Sequence, residues 1–94
     1  MQTQYEQGLV EQYLKQVDGW ATRAEMGENV EVVEAGVQET IKIALEHFAI
    51  VKTSDPAANR ARFKVELELR VDVCLPGQPK RKKTIQHAIS RLAG

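Results

Sequence analysis

The chain has one cysteine, three prolines, 5% aromatic residues and no excess charge of either sign. A single cysteine, Cys74, excludes an intrachain disulfide framework and a cysteine-built metal cluster. The longest uninterrupted apolar run is Phe48-Ala49-Ile50-Val51, so no transmembrane helix is available and no membrane partner is expected. The opening MQTQYEQGLVEQY is polar and offers no hydrophobic signal segment, which points to a cytoplasmic chain. The two histidines, His47 and His87, lie far apart, and neither a His-Glu-x-x-His nor a Cys-x-x-Cys spacing occurs. No metal and no other cofactor is therefore expected. Gly36 and Gly77 stand alone rather than in a phosphate-binding loop, and Ser54 and Ser90 sit in no nucleophile-elbow pattern.

What is present is an ordinary globular composition: 94 residues, 43% apolar and 28% charged. A chain of this length has room for one core and buries only about 60–65% of its extended surface. No repeat, low-complexity tract or linker divides it, so residues 1–94 are read as a single domain.

The first segment has the pattern of a helix over residues 4–26. Val10, Tyr13, Leu14, Val17, Trp20, Ala21 and Ala24 recur at steps of three and four, which places them on one stripe of a 3.6-residue repeat. Thr3 and Glu6 have capping-box spacing, and Gly27 follows where a helix C-terminus prefers glycine.

Residues 62–75 instead alternate. Phe63, Val65, Leu67, Leu69, Val71, Val73 and Leu75 interleave with Lys64, Glu66, Glu68, Arg70, Asp72 and Cys74. Period two is the pattern of a strand with one buried and one wet face, and it predicts that all the apolar members face Val10, Leu14, Val17 and Ala21 of the first helix. A strand over 63–75 extends roughly 43 Å at about 3.3 Å per residue. A globule of this size is only about 32 Å across. Such a strand must bend or reach a neighbouring subunit, and it needs hydrogen-bonded partners. Pro76-Gly77-Gln78-Pro79 ends it in a turn.

Two segments fit either template. Over 37–52, a helix places Val37, Ile41, Ala44, Leu45 and Phe48 on one face, extended by Val30 and Val33, and leaves Ile43 and Ile50 outside. A strand places Ile41, Ile43, Leu45, His47, Ala49 and Val51 on one side and leaves Phe48 and Ile50 on the wetter one. The strand is favoured because it supplies the partner that 62–75 requires, through the loop Ser54–Arg60. The tail 80–92 reads either as a short helix with Thr84 as N-cap and Ile85, Ile89 and Leu92 inward, or as a strand folded back beside Glu66, Glu68 and Asp72. The strand is preferred, since four successive cations do not suit a helix N-terminus.

The fold class expected is thus α+β: an N-terminal amphipathic helix packed on a curved antiparallel sheet of three to four strands. The alternative is α-α-β-α with the long strand paired across a dimer. A homodimer formed through the sheet follows from the long strand and from an exposed patch at Phe48 and Ile50.

Zero net charge conceals polarity along the chain. Residues 1–34 carry two cations and seven anions, net −5, and residues 60–94 carry nine cations and three anions, net +6. Either the two ends pair within the fold, or opposite patches meet across a two-fold axis, or the basic end binds nucleic acid. In the last case Lys80, Arg81, Lys82, Lys83 and Arg91 are the phosphate-binding residues. The remaining site candidates are Tyr13, Trp20 and His47, as walls of a pocket between helix and sheet, with Glu39 on the same strand face to orient the imidazole. Cys74 lies in the wetter register, near cations that lower a thiol pKa, but has no histidine spacing of a nucleophile.

No catalytic constellation emerges, and an enzyme is not the favoured reading. The function expected is a non-catalytic homodimeric binding or assembly module that recognises another protein. The alternative is a nucleic-acid-binding protein using the basic C-terminal segment. A third reading is a small-molecule-binding or enzymatic pocket at Tyr13, Trp20 and His47.

Overall fold

Where alternation predicts a sheet, the backbone forms helices. The computed structural model describes residues 4–51 and 55–91. Among these residues there is no strand; the elements are α1 (Gln4–Glu25), α2 (Val30–Ile50), α3 (Pro56–Cys74) and α4 (Pro79–Ser90). The α+β expectation and its antiparallel sheet are overturned. The α-α-β-α alternative is overturned at its third element.

The helix boundaries follow from local chemistry. α1 ends in a Schellman arrangement around Gly27, whose φ is 89°. Gly27 N–H donates to Ala24 C=O at 3.1 Å and Glu28 N–H to Arg23 C=O at 3.0 Å, as a left-handed C′ glycine allows. Asn29 caps α2, its side-chain oxygen accepting from Glu31 N–H at 2.8 Å. Asp55 caps α3 by accepting from Ala57 and Ala58 N–H at 3.0 and 3.2 Å, with Pro56 in the first turn. The segment read as a hairpin loop is therefore a helix start. The turn expected at Pro76-Gly77-Gln78-Pro79 forms one residue earlier, over Leu75-Pro76-Gly77-Gln78, with Gln78 N–H donating to Leu75 C=O at 3.3 Å and Gly77 at φ 70°. Pro79 then opens α4, so Thr84 is not its cap; its hydroxyl donates to Lys80 C=O inside the helix. Thr3, Ser54 and Leu92, and with Thr3 the proposed capping box, lie outside the described residues.

The reason 62–75 is helical lies in the arithmetic of its own pattern. A series alternating at period two contains two series at period four, and on a helix these lie on opposite faces. Phe63, Leu67 and Val71 face the core. Val65, Leu69 and Val73, expected beside them, face outward. Glu66 pairs with Arg70 one turn on at 2.7 Å, the orientation that supports a helix. The helix also satisfies its backbone groups internally, which a strand without partners does not. At 1.5 Å per residue, these 19 residues span only about 28 Å. The strand-length argument for a dimer disappears with the strand.

α2 buries Val33, Val37, Thr40, Ile41, Ala44 and Phe48. This is the helical stripe that the strand reading displaced. Phe48 is fully buried, so it belongs to no exposed patch, whereas Ile43 and Ile50 are exposed. α4 buries Ile85 and Ile89.

The helices run up, down, up, down. Tyr13 of α1 meets His47 and Phe48 near the end of α2, whereas Trp20 meets Gly36 nearer its start. Glu11 meets Arg62 and Asp18 meets Arg70, so α1 and α3 run parallel. Lys82 meets Asp72 and Arg81 meets Glu34, which sets α4 antiparallel to α3 and parallel to α2. α1 packs on α2 and α3, α4 packs on the same two, and α1 and α4 occupy opposite corners. The long helices account for the 38 Å dimension of the molecule. Twelve-residue α4, about 18 Å long, covers roughly half of that length. Among the described residues no helix is long and apolar enough to cross a membrane.

Candidate functional site

The three pocket candidates do not assemble around one space. Tyr13 and His47 are brought together: the Tyr13 hydroxyl lies 2.6 Å from His47 Nδ1. Burial pushes the Tyr13 phenol above its ordinary value, so it stays protonated at neutral pH, and the imidazole tautomer sets which of the two groups donates. The same phenol ring stands edge-on to His47, Phe48 and Phe63, with centroids 5.8, 5.8 and 6.4 Å away. Glu39 does not orient this histidine. On a helix it lies eight residues, or about 12 Å, away. It lines the α2–α4 groove instead.

Trp20, seven residues beyond Tyr13 on α1, packs against the backbone of α2. A Cβ at Gly36 would overlap Cε2 and Cζ2 of the indole, so this close approach requires glycine. The Arg23 guanidinium covers the ring at 4.3 Å from its centroid, a cation–π contact. Between the helices, the space lined by Val17, Val37, Leu67 and Ile85 has no room for a water molecule. Trp20 thus seals one end of the bundle, and the aromatic cluster of Tyr13, Phe48 and Phe63 fills the other.

Cys74 is not on a wet face. It is buried, and its thiol donates a long 3.8 Å contact to Val17 C=O. Burial, reinforced by Asp18, pushes the thiol up to about 11, the opposite of the shift expected from nearby cations. At neutral pH no thiolate forms to act as a nucleophile. Among the described residues no group of three His, Cys, Asp or Glu side chains is placed to hold a metal ion.

The charge polarity of the sequence is answered in large part within one chain. Glu11 and Asp18 of α1 pair with Arg62 and Arg70 of α3. Glu34 of α2 pairs with Arg81 of α4 at 2.9 Å, with Glu31 at 3.6 Å, and Asp72 of α3 pairs with Lys82 at 2.9 Å. These half-exposed pairs contribute at most about 1 kcal/mol each. They do split the basic cluster. Arg81 and Lys82 are occupied, whereas Lys80, Lys83 and Arg91 make no ion pair among the described residues and face solvent.

One surface feature was hidden inside the alternating pattern. Val65, Leu69 and Val73 form a continuous aliphatic stripe on the outer face of α3 and are 56%, 70% and 44% exposed. The exposed Val32, Ile43 and Ile50 of α2 are spaced eleven and seven residues apart and interrupted by Glu39 and Glu46, so they form no such stripe. Two opposed apolar faces were legible in the alternation, had the segment been read at 100° per residue. No family model, curated protein or solved structure matches this chain.

Proposed function

We propose that this chain is a non-catalytic, cytoplasmic helical assembly module, homodimeric through the outer face of α3 and presenting that assembled surface to a protein partner. The cytoplasmic assignment rests on the scarcity of cysteine: Cys74 stands alone and is buried without a disulfide. The observation that carries the reading is the stripe Val65–Leu69–Val73. It reads the same in both directions about Leu69, so a two-fold axis through Leu69 sets Leu69 against its own copy and Val65 against Val73, the self-complementarity an isologous contact needs. Docking of two antiparallel α3 helices would remove from water the aliphatic side chains that the chain itself leaves uncovered. Ion pairs flank the stripe, Glu66–Arg70 on one side and Asp72–Lys82 on the other, and provide a polar rim. Three aliphatic residues make a small contact, so association is weak and depends on concentration.

Light scattering across a concentration series tests this. The mass is expected to rise toward twice that of the chain, and Leu69→Glu is expected to hold it at one chain with an unchanged circular dichroism spectrum. A wild-type mass of one chain at every concentration up to the solubility limit overturns the reading.

A further inference from the structure

The cations of the basic segment sort into two sets once α4 is formed. Arg81 and Lys82 turn toward α2 and α3, where carboxylates hold them. Lys80, Lys83, His87 and Arg91 follow at steps of three, four and four, which places them within an arc of about 80° over roughly 16 Å of helix. All four are exposed. Beside them a groove of about 480 Å³ runs between α2 and α4, lined by Gln38, Glu39, Lys42, Thr84, His87 and Arg91. Lys42 is also exposed, makes no ion pair among the described residues, and lines the same groove as Arg91. The sequence pattern does not connect Lys42 to the basic tail; only the α2–α4 packing does.

We infer that this face of α4, together with the groove, binds the sugar–phosphate backbone of duplex nucleic acid without reading its bases. Arginines 23, 62, 70 and 81 are all taken up by carboxylates of the same chain. Lys42, Lys80, Lys83 and Arg91 are left for an external anion on this face, whereas Lys15 and Arg60, which also make no ion pair among the described residues, do not line the groove. The groove walls add the Gln38 amide and the Thr84 hydroxyl, which suit phosphate oxygens. The groove has no Phe, Tyr or Trp and His87 is its one aromatic ring, so the succession of stacking platforms that single-stranded bases require is missing. Nor is there a large apolar anchor of the kind that concentrates binding energy in protein–protein contacts. Glu39 is the one acid lining the groove. It disfavours a phosphate at its own position and confines the contacts to the cationic row. The site is separate from the α3 stripe and does not depend on dimer formation.

The inference sets a salt dependence. Four phosphate contacts give a slope of about −3.6 in log K against log salt, close to a hundredfold loss of affinity between about 50 and 200 mM. Fluorescence anisotropy with the full chain, a labelled duplex of arbitrary sequence, its separated strand and a polyglutamate peptide measures it. The expected result is duplex binding, indifferent to sequence, with that slope. The triple variant Lys80→Glu, Lys83→Glu, Arg91→Glu is expected to lose binding at least a hundredfold. An unchanged circular dichroism spectrum checks its fold, since Lys80→Glu suits the dipole of α4 whereas Arg91→Glu opposes it. Lys15→Glu, an exposed cation on α1, is the control and leaves affinity within about threefold. No duplex binding at about 50 mM salt overturns the inference. So does equal loss in the Lys15→Glu control, or tighter binding of polyglutamate than of duplex, which would make the partner an acidic protein.

Discussion

Phe63, Leu67 and Val71 lie on one side of α3 and are buried, whereas Val65, Leu69 and Val73 lie on the other and are exposed. The side chains are of the same kind and come from the same dozen residues. Their fates differ because α1, α2 and α4 pack on one face of the helix and, among the described residues, no element packs on the other. Hydrophobicity alone does not decide burial; the position of the residue around the helix axis does, relative to the neighbours that arrive from elsewhere in the sequence. A helix with two apolar faces in a small bundle is half core and half surface.

The contrast breaks most visibly at its centre. Leu67→Ala is expected to destabilise by about 2–5 kcal/mol, because it removes a fully buried side chain and leaves a cavity among α1, α2 and α4. Leu69→Ala, two residues away, is expected to stay within about 0.5 kcal/mol when measured by denaturant titration in dilute solution, where self-association is absent. Comparable losses at the two positions would show that the outer face is covered in the monomer.

Glycines sharpen the same comparison at a smaller scale. Gly36 faces the indole of Trp20, so Gly36→Ala is expected to cost about 1–3 kcal/mol through overpacking, with relief in the Trp20→Ala background. Gly19 on the solvent side of α1 has open space around it, and Gly19→Ala is expected to stabilise by about 0.5–1 kcal/mol. Thermal melts of the three variants settle both signs.

The smallest effect belongs to Cys74, at the inner end of the same helix, and is silent at neutral pH. Its folded pKa is raised to about 11 from an ordinary 9.0. The folded state therefore holds the thiol proton that the unfolded chain releases. The contribution is fully present below about pH 9 and is lost as the pH rises toward 11. Wild type is expected to lose stability across that window more steeply than Cys74→Ala. Its thiol is expected to react with an alkylating reagent at pH 8 only on unfolding. Rapid alkylation of the native protein would place Cys74 at the surface.

Much of the secondary structure was readable locally. The stripe of α1, its Gly27 terminus and the Pro76-Gly77 turn sit where apolar spacing and turn chemistry put them, whereas the inward set Val37, Ile41, Ala44 and Phe48 of α2 follows the helical template that the favoured strand had displaced. Asp55-Pro56 was equally readable as a cap followed by an N1 proline, but a loop joining two strands uses the same residues. The 62–75 alternation misled because period two contains period four: its sequence is compatible with a half-buried strand and with a helix of two faces. Of the candidate sites, Tyr13 and His47 do meet, while Trp20 belongs to another contact and the basic cluster divides between paired and free cations. None of these outcomes depends on neighbours in the sequence.

The order of residues by itself determined α1 with its Gly27 terminus, the turn at Pro76-Gly77, and that the acidic first third and basic last third attract each other, since caps, turns and net charge act over a few residues or need no geometry. The tertiary structure alone decided which half of the alternating residues is core, which cations are neutralised, and that Lys42 lines the same groove as Arg91. Each of these is a contact between segments up to about fifty residues apart in the chain, and such contacts exist only after the helices have packed.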